Sequence, residues 1–259
     1  MKKCLLSGCG GFIGSHCVSH LLVNTDWDIV GIDSWNHKGI SERISESEHY
    51  QKNRDRVKIY THDLNAPISN ILIDRLGVID YVINFASDSH VDRSITSPVP
   101  FVINNVNVAL TMLEYARKVK PEKFIQIGTD EVYGPTDGIH NHPEWSSIIP
   151  SNPYSASKVA QDALAISYWR TYGVPTILTN IMNTFGEMQD SEKLIPLVIK
   201  KIVNGDLIKI HSDKTKTVSG ARYWLHARNT SDALLFMLKN VPVPQYPFTN
   251  KPERFNIVG

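Results

Sequence analysis

The segment Gly8-Cys9-Gly10-Gly11-Phe12-Ile13-Gly14 constrains this chain more than any other. It lies between a short apolar run, residues 3–7, and a helical pattern, residues 12–24. Glycines there let the chain turn within a few residues and let backbone N–H groups approach a ligand closely. The partial positive charge of a helix N-terminus then stands directly behind the turn. A strand, a tight turn and a helix in that order begin a β-α-β unit, and the chain repeats the unit. Strands are predicted at 27–33, 57–62, 78–85, 123–128 and 176–181. A helix over 98–118 carries apolar residues at 102, 103, 106, 110 and 113 and stops before Pro121. Another, over 152–172, is bracketed by Pro153, Gly173 and Pro175. This rhythm predicts an α/β fold, a doubly wound parallel sheet of Rossmann type with helices on both faces.

Beyond residue 182 the rhythm loosens. A helix at 194–203, a short strand at 207–211, a helix at 229–238 and a last strand at 254–258 are predicted. The strongest turn-like stretches are 34–39, 134–151 and 212–221. The domain reading is residues 1–182 as the dinucleotide-binding domain with the catalytic residues, and 183–259 as a small lobe interleaved with it. The last strand is expected to pair within that lobe.

Lys plus Arg number 27 and Asp plus Glu 26. That balance argues against an electrostatic nucleic-acid binder and against a polybasic membrane-surface protein. No apolar run approaches the roughly 18 residues that cross a bilayer. The start, Met1 to Ser7, has too short an apolar run for a secretion signal. Cys4, Cys9 and Cys17 form no CxxC pair, and no histidine cluster has metal-binding spacing. Free thiols without a metal suit a reducing, cytoplasmic setting.

Asp33 ends the second predicted strand, 19 residues past Gly14. A carboxylate there accepts hydrogen bonds from a ribose diol and repels a 2′-phosphate, which favours NAD over NADP. Asp63 follows the third strand, where it either reaches the adenine or serves only as a turn residue. Tyr154-Ser155-Ala156-Ser157-Lys158 places Tyr154 and Lys158 one helical turn apart. A lysine beside a tyrosine stabilises the phenolate, making the pair a general base for an alcohol that loses hydride to a nicotinamide.

The turn together with the Tyr154/Lys158 pair resembles the extended short-chain dehydrogenase/reductase superfamily. The resemblance sharpens at Asn84 to Ile95 (NFASDSHVDRSI), at Gly128-Thr129-Asp130-Glu131-Val132-Tyr133-Gly134, at Pro150 to Lys158 (PSNPYSASK) and at Glu192-Lys193-Leu194-Ile195-Pro196. These runs are most similar to the dTDP-glucose 4,6-dehydratases. The Thr-Asp-Glu triplet is the discriminating feature, because related epimerases and decarboxylases usually carry other residues there.

The resemblance implies three steps. Tyr154 takes the C4 hydroxyl proton as hydride leaves C4, Glu131 as base and Asp130 as acid remove water across C5 and C6, and hydride returns to C6. Thr129 would hydrogen-bond the sugar near C4. Gly8, Gly11, Phe12, Ile13, Gly14, Asp33, Asp63 and Leu64 would hold the adenosine and diphosphate of NAD, with Ala86, Ser87, Tyr154, Lys158 and Asn105 nearer the nicotinamide. Asn104 and Asn107 compete for the role of Asn105. Ser89 and His90 would face the sugar, and Asn183, Lys193, Leu194 and Arg222 the nucleotide diphosphate. A homodimer through helices 98–118 and 152–172 is also implied.

Departures cluster toward the C-terminal end. The usual N-N-Y-G-P run is Asn183-Thr184-Phe185-Gly186-Glu187, the residue after Arg222 is Tyr223 rather than Asp, and the sequence stops at Gly259 where family members continue. The expectation is a small, truncated substrate lobe with weak nucleotide-sugar binding and near-normal NAD binding. Two rival readings are a 4-epimerase or decarboxylase of the same superfamily, and a non-catalytic NAD-binding scaffold or sensor.

Overall fold

The computed structural model describes every residue except His37, Asp137, His211, Asp213, Lys214 and Lys216. Where the turn-like stretches 34–39, 134–151 and 212–221 and the end of the expected strand 207–211 fall on those positions, they lie outside the described residues.

The N-terminal half runs β1 (Lys3–Ser7), α1 (Phe12–Asn24), β2 (Asp28–Asp33), α2 (Glu42–Ser45), α3 (Glu48–Lys52), β3 (Val57–Thr61), α4 (Asn70–Leu76), β4 (Tyr81–Asn84), α5 (Val91–Thr96) and α6 (Pro98–Val119). There follow β5 (Lys123–Thr129), a 3-10 turn (Asp130–Tyr133), α7 (Pro153–Tyr172), β6 (Thr176–Ile181), β7 (Asn183–Phe185), α8 (Leu194–Asn204), β8 (Trp224–His226), α9 (Ala227–Asn240) and β9 (Glu253–Ile257).

Seven strands form one sheet in the order β3-β2-β1-β4-β5-β6-β9, and every pairing is parallel. The strand order reverses between β1 and β4, which opens a crevice at the carboxyl ends of these strands. The strands are apolar on both faces, as sheets covered on two sides require. In β1, Cys4 and Leu6 join the core under α1 and α9, while Leu5 joins the core under α4, α6 and α7. The three cysteines are free and buried, and burial pushes their thiols upward. They are packing residues in a low-dielectric core rather than nucleophiles.

The C-terminal third departs from the expectation in two places. Residues 207–210 form no strand; Leu207 and Ile210 are exposed, so no neighbour supplies the pairing that a strand needs. The last strand does not pair in a small lobe but extends the main sheet: Ile177, Thr179 and Ile181 of β6 lie opposite Glu253, Phe255 and Ile257 of β9. Phe255 and Ile257 thereby reach the same core as Leu234 and Leu238 of α9, which packs on α1. What stands apart is the two-stranded sheet of β7 and β8, with α8 nearby in sequence.

On α6 the buried residues are Phe101, Asn105, Val108, Ala109, Met112, Leu113, Tyr115 and Ala116. The expected stripe through Ile103 and Leu110 is therefore rotated, and those two side chains lie on the outer face, exposed. Among the described residues no helix is long and apolar enough to cross a membrane.

Candidate active site

A cleft of about 730 Å³ opens where the strand order reverses, and the Gly-rich turn forms its floor. Gly8 has φ 65°, and a Cβ there would come within 3.0 Å of the Ala86 backbone. A Cβ on Gly14 would sit 2.3 Å from the Gly8 carbonyl oxygen. The turn thus needs glycine at both ends, and Gly11 caps α1 with no side chain over its first N–H groups. Those free donors and the dipole behind them fit a diphosphate. Phe12 and Ile13 start the helix on the cleft wall.

Asp33 is buried at the end of β2. One carboxylate oxygen accepts from Gly10 N at 2.8 Å and the other from Trp35 N at 2.9 Å. These bonds lock it beside the turn, in the place a ribose diol requires. Asp63 and Leu64 line the same cleft, and Asp63 also accepts from Asn65 N at 2.9 Å, so its turn role is real. Ala86 and Ser87 line the opposite wall. The donors and acceptors present therefore fit a dinucleotide.

Tyr154 and Lys158 enter from α7. The Lys158 ammonium donates to the Ile127 carbonyl at 2.6 Å and to Gln161 Oε1. Gln161 belongs to a buried chain: Ser7 Oγ donates to Asn84 at 2.5 Å, Asn84 Nδ2 to Gln126 at 2.9 Å, Gln126 Nε2 to Gln161 at 3.1 Å, and Gln161 Nε2 to the Asn105 carbonyl at 2.6 Å. A satisfied buried network of this kind fixes side-chain geometry. Burial lowers Lys158 from the ordinary 10.5 to about 8, against the pull of the Asp162 charge. The Tyr154 phenol is not lowered toward neutrality. Burial holds it above its ordinary value, Glu131 and Asp130 push the same way, and only the Thr129 hydroxyl opposes them. Burial of the phenol and the two neighbouring carboxylates account for the difference from the expectation.

Thr129 ends β5, and its hydroxyl donates to Asp130 at 3.3 Å while accepting from Glu131 N at 3.4 Å. The 3-10 turn that follows turns both carboxylates into the cleft. Burial raises Asp130, and the neighbouring Glu131 raises it further. Glu131 accepts from Asn152 Nδ2 at 3.1 Å.

Most of the remaining expected residues meet at the cleft as well. Ser89, His90, Asn183, Lys193 and Leu194 line it. His90 also caps α5, accepting from Arg93 N at 3.4 Å, and faces Glu192 at 3.3 Å. Lys193 donates to the Ser89 carbonyl at 3.2 Å. Two expected residues are not on the wall. Asn105 is fully buried behind it, accepting from Asp88 N at 2.7 Å and donating to Ser157 Oγ at 2.8 Å. It braces the turn after β4, while the half-buried Asn104 lines the cleft. Arg222 is exposed and outside the lining, although its charge pulls Asp130 downward.

Residues 5–254 match the family described as GDP-mannose 4,6 dehydratase. The chain belongs to this family. The dTDP-glucose 4,6-dehydratase of Escherichia coli is 35% identical, over 98% of this chain and 74% of that protein. The low-salt glycan biosynthesis protein of Haloferax volcanii is 35% identical, over 91% of this chain and 72% of that protein. Among solved structures, the dTDP-glucose 4,6-dehydratase of Streptomyces venezuelae with NAD and TYD bound superposes with a TM-score of 0.84 at 28% identity, covering 98% of this chain and 75% of that one.

Several residues around this dehydratase-family cleft had escaped the sequence reading. Arg43 is buried and ties three loops, donating to Gly10 O at 3.2 Å, to Met188 O at 3.0 Å and to Lys38 O. Lys38 pairs with Asp190 at 2.6 Å and Glu192 at 3.3 Å, from one side of the cleft to the other. Gln126 and Gln161 carried a usable signal, since an amide in the middle of an apolar strand or helix face implies a buried partner.

Proposed function

We propose that the protein is an NAD-dependent nucleotide-sugar 4,6-dehydratase that converts dTDP-glucose or UDP-glucose to the 4-keto-6-deoxy sugar. The observation that carries this reading is that one cleft holds both Tyr154 with Lys158 and Asp130 with Glu131. Alcohol oxidation uses the first pair, and elimination of water from the resulting ketone uses the second. NAD, when bound, supplies the hydride acceptor and donor at the nicotinamide. Tyr154 takes the C4 hydroxyl proton as its phenolate, which the Lys158 ammonium one helical turn away stabilises against burial and the charges of Glu131 and Asp130. Glu131 takes the proton from C5, which the neighbouring ketone acidifies. Asp130, whose surroundings favour its protonated form, protonates the departing C6 hydroxyl. A 4-epimerase needs no such acid and would leave the carboxylate pair without a task.

The Gly-rich turn and Asp33 bind the NAD diphosphate and ribose, and the lack of room for a 2′-phosphate's charge beside Asp33 favours NAD over NADP. Asn183, Lys193 and Leu194, from the segment after residue 182, hold the nucleotide diphosphate of the sugar. The names of the bacterial relatives support dTDP as the nucleotide. The outer face of α6, with Val99, Ile103 and Leu110 exposed in one stripe, is the surface for a second copy of the chain. Free buried thiols are compatible with a reducing cytoplasm. Incubation with dTDP-glucose and with UDP-glucose separately tests the reading. A 4-keto-6-deoxy product, seen by its alkali-induced absorbance, is expected with at least one; its absence with both would refute the proposal.

A further inference from the structure

We propose that Asn152 is a positioning residue that holds Glu131 in register with the helix carrying Tyr154 and Lys158. The role rests on the dehydratase reading above. Asn152 is the N-cap of α7: its Oδ1 accepts from Ser155 N at 2.8 Å, and its own N–H donates to Ser155 Oγ at 3.2 Å. Its Nδ2 meanwhile donates to Glu131 Oε2 at 3.1 Å. The orientation of the amide is fixed by its neighbours, because the backbone N–H needs an oxygen and the carboxylate needs an N–H.

Ser, Thr or Asp would cap a helix as well as Asn. None of them serves both partners. A hydroxyl that accepts from the N–H of Ser155 keeps an O–H to donate but is too short to carry it to Glu131, and an aspartate would confront Glu131 with a like charge. The amide therefore does something that capping alone does not require. It joins the start of α7, two residues before Tyr154, to the carboxylate on the turn after β5. The base for the C5 proton and the base for the C4 hydroxyl are thereby held on one rigid unit. The other charged or titratable groups that act with Glu131 are Asp130, Tyr154 and Lys193, and Arg222 acts on Asp130. Asn152 is a neutral donor among them.

The test compares Asn152→Asp and Asn152→Ser with the wild-type protein, each purified with its bound NAD. Melting temperature, NAD content and the pH profile of kcat on dTDP-glucose and UDP-glucose are measured. Both variants keep the cap, so melting temperature and NAD content should stay near wild type. In both, kcat should fall about 10- to 100-fold, as misplacement of a reacting group by a fraction of an ångström allows. In Asn152→Asp, reduced cofactor should build up when sugar is added, and the acid limb of the profile should move to higher pH, because a new carboxylate disfavours ionised Glu131. Asn152→Ser should lose rate without that shift. Wild-type kcat and an unmoved limb in Asn152→Asp would overturn the role, as would a shared loss of melting temperature with no change in the profile. A wild-type protein that turns over neither sugar would overturn the dehydratase reading and this role with it. An active wild type beside an indifferent Asn152→Asp sinks the role alone.

Discussion

Lys38, on the loop after β2, lies 2.6 Å from Asp190, on the loop after β7, and both residues line the cleft. The same ammonium reaches Glu192, which in turn faces His90 on the opposite wall. Arg43 adds its bond to the Met188 carbonyl. The segment 187–193 is therefore clasped from both sides, and the clasp is predicted to slow the loss of a bound dinucleotide.

That arrangement suits a cofactor that is reduced and reoxidised within each turnover. Lys38→Ala is expected to speed NAD loss on dilution and to make the rate less sensitive to salt. The Lys38 side chain is 43% exposed, so the effect is modest. Partly exposed ion pairs contribute about 0.2–1 kcal/mol, or about 1.5- to 5-fold in the off-rate. A chase of labelled NAD with unlabelled NAD reads this directly; an unchanged off-rate would contradict the clasp.

Glu131→Gln separates the two halves of the chemistry. Tyr154 and Lys158 remain, so oxidation at C4 proceeds, while the amide cannot take the C5 proton. Adding sugar should produce a stable absorbance of reduced cofactor, with turnover lowered by about 10²- to 10⁴-fold, the usual range for a general base. Normal turnover would remove Glu131 from the base role.

The parts of this site that were legible beforehand are those set by local pattern. The Gly8–Gly14 turn, Asp33 at the end of β2, and the helical spacing of Tyr154 and Lys158 depend only on near neighbours. The triplet Thr129, Asp130 and Glu131 was legible through the family resemblance, which assigns its roles, and not from local pattern. What escaped depends on tertiary approach. The Lys38–Asp190 pair spans more than 150 residues of sequence, and nothing in either loop's composition marks its partner. The alternation of Phe255 and Ile257 announced β9 as a strand, but which edge it would join was decided by the free side of β6. Residues 207–210 had the composition of a strand and lacked a partner to pair with.

Lys158 carries a pH dependence whose sign can be worked out. Its ammonium is disfavoured in the fold, titrating at about 8 against the ordinary 10.5. Between these values the unfolded chain binds a proton that the folded one does not, so stability contributed by this group rises with pH across that window. Denaturation of the wild type and of Lys158→Met from pH about 7 to 10.5 isolates the effect. The wild type should gain stability relative to the variant above pH about 8. A flat or falling difference would mean that the lysine is not buried as described.

Val99, Ile103 and Leu110 are all more than a third exposed on α6, a helix whose other face is buried. An obligate interface built on that face and on α7 would bury on the order of 2,000 Å² or more. Sedimentation at micromolar concentration should give a dimer, and Ile103→Glu should give a monomer. A monomeric wild type would refute the assembly.

If oxidation, elimination and reduction occur in one cleft on one bound sugar, the hydride taken from C4 returns to the same molecule. Turnover of dTDP-glucose deuterated at C4, in ordinary water, follows that hydride. The deuterium is expected at C6 of a 4-keto-6-deoxy product, with a solvent hydrogen at C5. A product lacking deuterium at C6, or a C4 epimer that keeps its C6 hydroxyl, would contradict it.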